Sequence, residues 1–418
     1  MNITAIIISA VIAIFGFAGG GGSSSGGGGG GGSSSSHSSS SHSSSSSSSS
    51  HSSSGSSDPE DAIFALIFMF FTTFIIIAIV TKFGKSSFGY KDHNSTPLEK
   101  QIHKDAKSIF ESYQKDWTDF NLASIKEYTT PHYYQHASLM LELLKNLHRT
   151  NKVSKLKVKN VYLGTPVNQD TKFPVRLNIT YHFAGLDEVI TDEGKKLYSA
   201  YVPSAFETWN FIYDGQTLKL DGISQPTESS SHLVKSLATF AKEKGLFYSP
   251  DWGRYALPAR GLIFGGTSMK IADINNHIIG KTPLLTQLYT YAEYPGVTAN
   301  GYYIVGQINV PKDYLGVIVK SRAFKTGKNP DKSYEKFTLE WNDFNNRYDV
   351  YAASRDALPA FELLNPKFME YLYSKNPSYN LEVVDNVIYI YAELKNITEK
   401  DYSELLEVLE KAYAELKM

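Results

Sequence analysis

His132 and His136 stand four residues apart in a stretch whose apolar pattern predicts a helix. Both imidazoles would then share one face at a spacing that suits a metal ion. No third ligand accompanies them, so two packed or surface histidines account for the pair as well. His37, His42 and His51 punctuate a run of glycine and serine. A metal held there would have to order a floppy chain, which makes a solvated spacer the simpler reading. Gly280-Lys281-Thr282 ends as a phosphate-binding loop ends, but Asn275 occupies the position where that loop needs glycine. Asp187, Glu188, Asp192 and Glu193 are expected to form a solvated acidic turn. The GxSxG elbow, the HExxH zinc helix and the acidic calcium loop are all missing from the sequence. Acid/base chemistry would need a buried carboxylate, Asp119 or Glu207, beside Tyr181 or His182. Trp117, Tyr181, His182 and Trp209 are the candidate lining of such a pocket. No catalytic residue, cofactor or metal ligand is assigned.

Composition narrows the classes further. Forty-one Lys and Arg balance forty-two Asp and Glu, so no net field recruits nucleic acid. The absence of cysteine from the sequence removes disulfides, thiolate metal sites and cysteine nucleophiles, and leaves the redox compartment open. A chain of 418 residues has room for two or three domains, and its 28 tyrosines and 23 phenylalanines, abundant after residue 100, can build cores.

The elements that would position these residues begin with an apolar run. Residues 62–81 contain no charge, and as a helix they would be about 30 Å long, the thickness of a bilayer's hydrocarbon core. Asp58, Glu60 and Asp61 precede the run, whereas Lys82, Lys85 and Lys91 follow it. Positive charge is retained on the cytoplasmic side, so the expected topology puts everything after Lys82 inside the cell, at the membrane. Residues 1–18 are a shorter apolar run, a signal peptide or a short first span, and lack a preceding Lys or Arg. Residues 19–57, nearly all Gly and Ser, have nothing to bury and are expected to be a disordered linker.

Residues 87–226 read as a first domain. Leu98, Ile102, Ala106, Ile109, Phe110, Tyr113, Trp117 and Phe120 form a helical stripe, and Pro131 opens another helix through Leu147. The period then switches to two: Val175, Leu177, Ile179, Tyr181 and Phe183 alternate with polar neighbours. A strand over 197–213, a turn at Asp214-Gly215 and a returning strand to Ile223 follow. Helices before a meandering antiparallel sheet predict an α+β domain with the helices on one side of a curved sheet. Lys145, Arg149, Lys152, Lys155, Lys157 and Lys159 form a basic run. Lys82, Lys85, Lys91, Lys152, Lys155 and Lys157 are candidate contacts to anionic headgroups. A solvated face alternating with Val153, Leu156, Val158 and Val161 explains the same spacing.

Glu207-Thr208-Trp209-Asn210-Phe211-Ile212-Tyr213-Asp214-Gly215, followed by Leu218-Lys219-Leu220-Asp221-Gly222-Ile223, resembles the closing hairpin of the Tim-forty-four-like domain. That family is named for a subunit of the mitochondrial inner-membrane translocase. Asp119-Phe120-Asn121-Leu122 and Tyr128-Thr129-Thr130-Pro131 fit the same pattern, as does a membrane segment beside a Gly/Ser-rich stretch in bacterial members. The resemblance covers about a third of the chain. It implies a cone-like fold of the nuclear-transport-factor-two type, membrane association, and a role as tether or docking surface linked to protein transport. Bacterial members lack the chaperone-binding part, so that partner is not carried over.

Residues 227–249 are expected to be a linker helix, 250–395 a second α+β domain, and 396–418 a C-terminal helix. Strands are predicted over 284–294, 302–310, 315–320, 337–340 and 348–352, with a hairpin of 381–384 and 387–391 around Asp385-Asn386. Asn365 caps a helix begun by Pro366, and Thr398 caps the last helix with Asp401 at its third position. The last helix is expected to pack on the domain, with a coiled-coil contact as the rival. Phe344-Asn345-Asn346-Arg347-Tyr348-Asp349-Val350-Tyr351-Ala352, Leu363-Leu364-Asn365-Pro366-Lys367-Phe368-Met369 and Val387-Ile388-Tyr389-Ile390 resemble, in order, the end of an uncharacterised bacterial membrane-associated domain. That resemblance implies no chemistry.

The leading expectation is a non-enzymatic, membrane-anchored adaptor docking protein or lipid at the cytoplasmic face of a bacterial membrane. A hydrolase or isomerase using the first domain's cone is the rival from the enzyme class, and an outward-facing surface protein is the third reading. Ligand, partner and oligomeric state are not legible.

Overall fold

A computed structural model describes residues 96–164, 166–167, 170–224, 232–251, 257–258, 260–264, 272–293, 302–324, 330, 332–375 and 378–416. The expected leader at 1–18, the linker at 19–57, the span at 62–81 and Lys82, Lys85 and Lys91 lie outside these residues. Among the described residues no helix is long and apolar enough to cross a membrane.

Three helices open the described chain: α1 (Pro97–Thr118), α2 (Leu122–Tyr128) and α3 (Pro131–Asn146). Each start is written in side-chain chemistry. Thr96 Oγ1 accepts the Glu99 N–H at 3.1 Å while Glu99 accepts the Thr96 N–H at 2.9 Å, a reciprocal capping box. Thr130 accepts the Tyr133 N–H at 3.3 Å ahead of Pro131, whose fixed φ and missing N–H suit the first helical position. The stripe expected to run on through Phe120 breaks earlier: Phe120 takes a left-handed φ of 53° and Asn121 restarts the chain as the cap of α2.

Four antiparallel strands follow in the order β1 (Arg149–Leu163), β2 (Val175–Thr191), β3 (Lys196–Tyr213) and β4 (Leu218–Ser224). Their inward residues, among them Leu177, Ile179, Tyr181, Trp209, Phe211 and Leu220, are buried against Ile102, Phe110, Tyr113, Trp117, Met140 and Leu144 of the helices. The α+β reading of this region holds.

The acidic turn does not hold. β2 continues through Thr191, and Asp187 and Glu188 lie on it, 2% and 5% exposed. Asp187 accepts the Asn151 side-chain N–H at 2.6 Å, and Glu188 accepts from Lys196 at 2.6 Å and Ser199 at 3.1 Å. Long-range partners make burial of these charges affordable. Asp192 and Glu193 do form the exposed turn.

α4 (His232–Glu243) leads into a second, seven-stranded sheet of β5 (Phe247–Asp251), β6 (Ala272–Lys281), β7 (Leu285–Glu293), β8 (Tyr302–Ser321), β9 (Tyr334–Phe337), β10 (Tyr348–Ala353) and β11 (Asn380–Glu393). The strand order is β5-β6-β7-β8-β10-β9, with β11 along the other side of β8. One face is apolar: Leu288, Ile304, Ile308, Ile388 and Ile390 pack on Leu237 and Phe240 of α4 and on Tyr402, Leu405 and Leu409 of α8 (Glu399–Glu415). Gly306 has no side chain there, and a Cβ would stand only 3.0 Å from both Leu288 and Leu405, so glycine permits the close approach of α8. Packing on the domain is thus what the last helix does.

Two expected breaks are absent. The strands predicted at 302–310 and 315–320 are halves of β8, and the hairpin predicted around Asp385-Asn386 is the single strand β11. Asp385 takes a left-handed φ of 52° opposite Tyr314, and the register shifts on either side of it. Two turn signals facing each other across one ladder make a bulge, because the flanking pairs hold both strands in place. The strand expected at 337–340 lies instead at β9, ending at Phe337. Short helices α5 (Asn342–Arg347), α6 (Ala357–Leu363) and α7 (Pro366–Ser374) complete this region. Arg347 holds it together, donating to Ser378 Oγ at 2.8 Å and to the carbonyls of Tyr373 and Lys375.

Candidate functional site

The residues named as a pocket lining divide between two faces of the first sheet. Alternation along β2 sends Tyr181 inward and His182 outward, so adjacent residues cannot share a cavity wall. His182 stacks on Phe206 with centroids 4.4 Å apart and reaches Ser204 Oγ at 2.9 Å. Tyr181, Trp117 and Trp209 do converge: Tyr181 and Trp209 stand 5.3 Å apart, Phe110 lies 4.3 Å from Tyr181 and 4.9 Å from Trp209, and Tyr113 lies 5.7 Å from Trp117 and 5.2 Å from Trp209. The three named rings, Phe110 and Tyr113 are all buried. The interior between the first sheet and its helices is filled with hydrocarbon at this point.

Polar atoms in that interior are engaged there. The Tyr181 hydroxyl donates to the Ala106 carbonyl at 3.0 Å, Trp117 Nε1 to Asn151 Oδ1 at 3.1 Å, and Tyr113 and Tyr133 share a hydrogen bond of 3.1 Å. Glu207 is 3% exposed, pairs across the ladder with Tyr181, and accepts Trp209 Nε1–H at 2.9 Å. Burial first, and then the Glu207 charge, pushes the Tyr181 phenol well above its usual range, so Tyr181 is no proton carrier near neutrality. Asp119 is exposed at the end of α1. The buried carboxylate on that helix is Asp116, which accepts from Ser124 at 2.6 Å, Tyr128 at 2.9 Å and Asn121 at 3.1 Å. Its position on the inner face of a helix end is a signal in the sequence, but its three partners come from α2 and the Asn121 cap of that helix.

His132 and His136 both face Phe247 of β5, at 5.0 Å and 5.5 Å, with the His136 ring parallel to it. They border a cleft of about 710 Å³ lined also by Asp221, Lys242 and Tyr248. Burial, followed by the neighbouring His277 and His132, lowers His136 to about 3, which keeps it neutral at physiological pH. No set of three metal-ligating side chains gathers here or elsewhere among the described residues. Lys281 of the glycine-lysine-threonine run pairs with Glu142 at 3.0 Å, and Thr282 donates to Glu410, so both side chains are used in joining elements.

The other face of the seven-stranded sheet is the one sequence reasoning missed. Tyr289, Tyr291, Tyr303, Tyr389 and Tyr391 line it beneath Leu257, Ile263 and Phe264. Glu382, 1% exposed, accepts the Leu262 N–H at 3.0 Å and the Tyr391 hydroxyl at 2.8 Å. Burial raises it to about 7 despite these bonds. Gly261 passes directly over the Tyr389 hydroxyl with φ 134°, where any Cβ would collide. His277 Nε2 meets Gln287 Oε1 at 2.7 Å, and burial lowers that imidazole to about 4. Tyrosines spaced two apart in β7 and β11 were the available signal.

Lys152, Lys155 and Lys157 are exposed on β1, while Val153, Leu156, Val158 and Val161 are half-buried against the first core. Strand alternation, interrupted by shifts of register after Ser154 and Val158, therefore accounts for the basic run.

No family model matches the chain, and no curated protein matches it. Among solved structures, the mycobacterial trehalose monomycolate transport factor A, TtfA, is similar over 44% of this chain and 94% of that one, at 11% identity and a TM-score of 0.34. A likeness that distant carries no argument.

Proposed function

We propose that this chain is a membrane-anchored adaptor. Residues 62–81 hold the folded part at the cytoplasmic face of a bacterial membrane, where its surfaces dock a protein or lipid partner, in the manner of Tim-forty-four-like proteins and in the service of protein transport. The observation that carries this reading is the filled interior of the first sheet and its helices. The rings of Phe110, Tyr113, Tyr181 and Trp209 occupy the space that an acid/base enzyme of this shape would keep for substrate, and Glu207 is tied to Trp209 within it. What remains accessible is surface, including a strand edge bearing four exposed lysines and no acid.

The test is in cells. Photo-crosslinking side chains at Lys155 and Lys157 should capture a discrete protein or lipid from the membrane fraction, and deletion of 62–81 should move the chain to the soluble fraction and abolish capture. A deletion variant that stays on the membrane, or probes that capture nothing, would sink the adaptor. A reporter fused after Met418 that is active only outside the cell would move the adaptor to the other face.

A further inference from the structure

Between α1 and β1 lies a pocket of about 350 Å³, lined by Gln114, Lys115, Thr118, Ser154, Lys155 and Leu156 among others. It sits where β1 is irregular: the register with β2 shifts between Ser154 and Lys157, and Lys155 has a left-handed φ of 50°. Gln114 is 2% exposed, yet neither its carboxamide nitrogen nor its oxygen has a hydrogen-bond partner. A buried polar group left unpaired is destabilising, so the Gln114 carboxamide calls for a partner at this pocket.

The neighbouring turn of α1 shows what this helix face does for the strand. Thr118 accepts the Val153 N–H at 3.2 Å, and its hydroxyl lies 3.3 Å from the Asn151 carbonyl oxygen. The outer edge of β1 is therefore closed by a side chain as far as Val153. Beyond that point β1 has β2 on one side and no strand on the other among the described residues. Gln114 stands one turn back along the helix, where the strand runs on, and offers an amide N–H donor and a carbonyl acceptor side by side. A peptide group is the partner that presents both at once.

We propose that this pocket seats the main chain of an extended, acidic polypeptide segment laid along the outer edge of β1. Rotation about the last torsions of Gln114 brings its carboxamide up to pair with a peptide group of the segment. Strand addition of this kind takes its affinity from main-chain hydrogen bonds and its selectivity from flanking side chains. The flanking charge selects an acidic segment: Lys152, Lys155, Lys157 and Lys159 are exposed along β1, which contains no Asp or Glu. At the mouth itself Glu111 and Asp119 are offset by Lys115 and Lys155, so the selectivity lies along the strand beyond. The same lysines repel the like-charged edge of a second copy, which protects the edge until an acidic strand arrives. This deepens the adaptor reading by giving its partner a chemistry.

The test uses the full-length chain in neutral detergent micelles and a fluorescein-labelled nonapeptide of alternating glutamate and valine, followed by fluorescence anisotropy. The peptide should bind, its lysine–valine counterpart should not, and a central proline should weaken binding about ten-fold or more by removing an N–H from the ladder. Gln114→Leu should weaken binding about five-fold or more while leaving the melting temperature unchanged or higher, because an apolar side chain of similar size relieves the unpaired amide. Lys157→Glu, a fully surface change, should weaken binding and reduce its salt dependence. Binding by Gln114→Leu as tight as by the unaltered chain would overturn the proposal. So would displacement of the peptide by micelles doped with phosphatidylglycerol, which would give this surface to lipid. If no peptide binds while the cellular crosslinks persist, the pocket falls and the adaptor stands; loss of both removes both.

Discussion

Between the first sheet and its helices Phe110, Tyr113, Trp117, Tyr181 and Trp209 meet ring to ring, and their polar handles are bonded to the Ala106 carbonyl and to the side chains of Tyr133, Asn151 and Glu207. On one face of the seven-stranded sheet Tyr289, Tyr291, Tyr303, Tyr389 and Tyr391 are packed as densely, but they surround a carboxylate and a row of imidazole and amide groups. Ring content alone would make the two equivalent. The second layer holds Glu382, raised by burial to about 7, and His277, lowered by burial to about 4, so it should answer to pH as well as to lost volume. A dry layer rich in phenols can hold Glu382 near 7, because burial outweighs the hydrogen bonds from Tyr389, Tyr391 and Leu262.

The largest effect tests the first half of that contrast. Trp209→Ala removes a fully buried ring in contact with Phe110, Tyr113 and Tyr181, and leaves Glu207 without its indole donor. Unfolding by urea should show a loss of about 3–5 kcal/mol. A loss under about 1 kcal/mol would mean that the interior collapses around the gap and is not the rigid fill described.

Glu382→Gln tests the other half. A carboxyl raised from 4.5 to about 7 on folding binds more protons in the native state between those values. Stability from this group is full below pH 4.5 and is lost as pH rises through 7, at up to about 1.4 kcal/mol per pH unit. Glutamine abolishes that decline, so the variant should gain on the unaltered chain by about 2–3 kcal/mol between pH 5 and pH 8. His277 works in the opposite sense. Lowered from 6.5 to about 4, it is neutral in the native state, so its contribution is present above 6.5 and lost as pH falls toward 4. His277→Asn should remove that acid limb, a change of up to about 1.4 kcal/mol per pH unit over the same window. Unchanged slopes in both variants would erase the distinction between the two layers.

How much of this could be read beforehand follows from where each signal lives. The helix start at Pro131, the caps at Asn365 and Thr398 and the alternation through Phe183 are local, and they hold: Asn365 Oδ1 accepts the Phe368 N–H at 3.0 Å, and the Thr398 N–H reaches Asp401 at 2.8 Å. The burial of Asp187 and Glu188 is not local, since it rests on Asn151 and Lys196. The turn signals in the middle of β8 and β11 were real, but each was read without the strand opposite, and the ladder turned them into a bulge. His182 does not join Tyr181 in one wall, because period two assigns neighbours on a strand to opposite faces. Gln114 looked like an ordinary polar position between Tyr113 and Lys115, and only the approach of β1 buries it.

The smallest effects come from making one substitution in both layers. Tyr113→Phe removes one member of a neutral hydroxyl pair, 3.1 Å from Tyr133, and should cost about 1 kcal/mol at any pH between 5 and 8. Tyr391→Phe removes a donor to Glu382 at 2.8 Å. While that carboxyl is protonated the bond is neutral and its loss should also cost about 1 kcal/mol. Once the carboxyl ionises, the lost bond is charge-assisted, and the cost should rise to about 1.5–3 kcal/mol. Losing that donor also shifts the carboxyl upward, so the fall in stability on raising the pH should become steeper in Tyr391→Phe and stay the same in Tyr113→Phe. Equal slopes in the two variants, measured by urea titration across pH 5 to 8, would mean that the Tyr391 hydroxyl does not support the Glu382 charge, and that the tyrosine layer is held by packing alone.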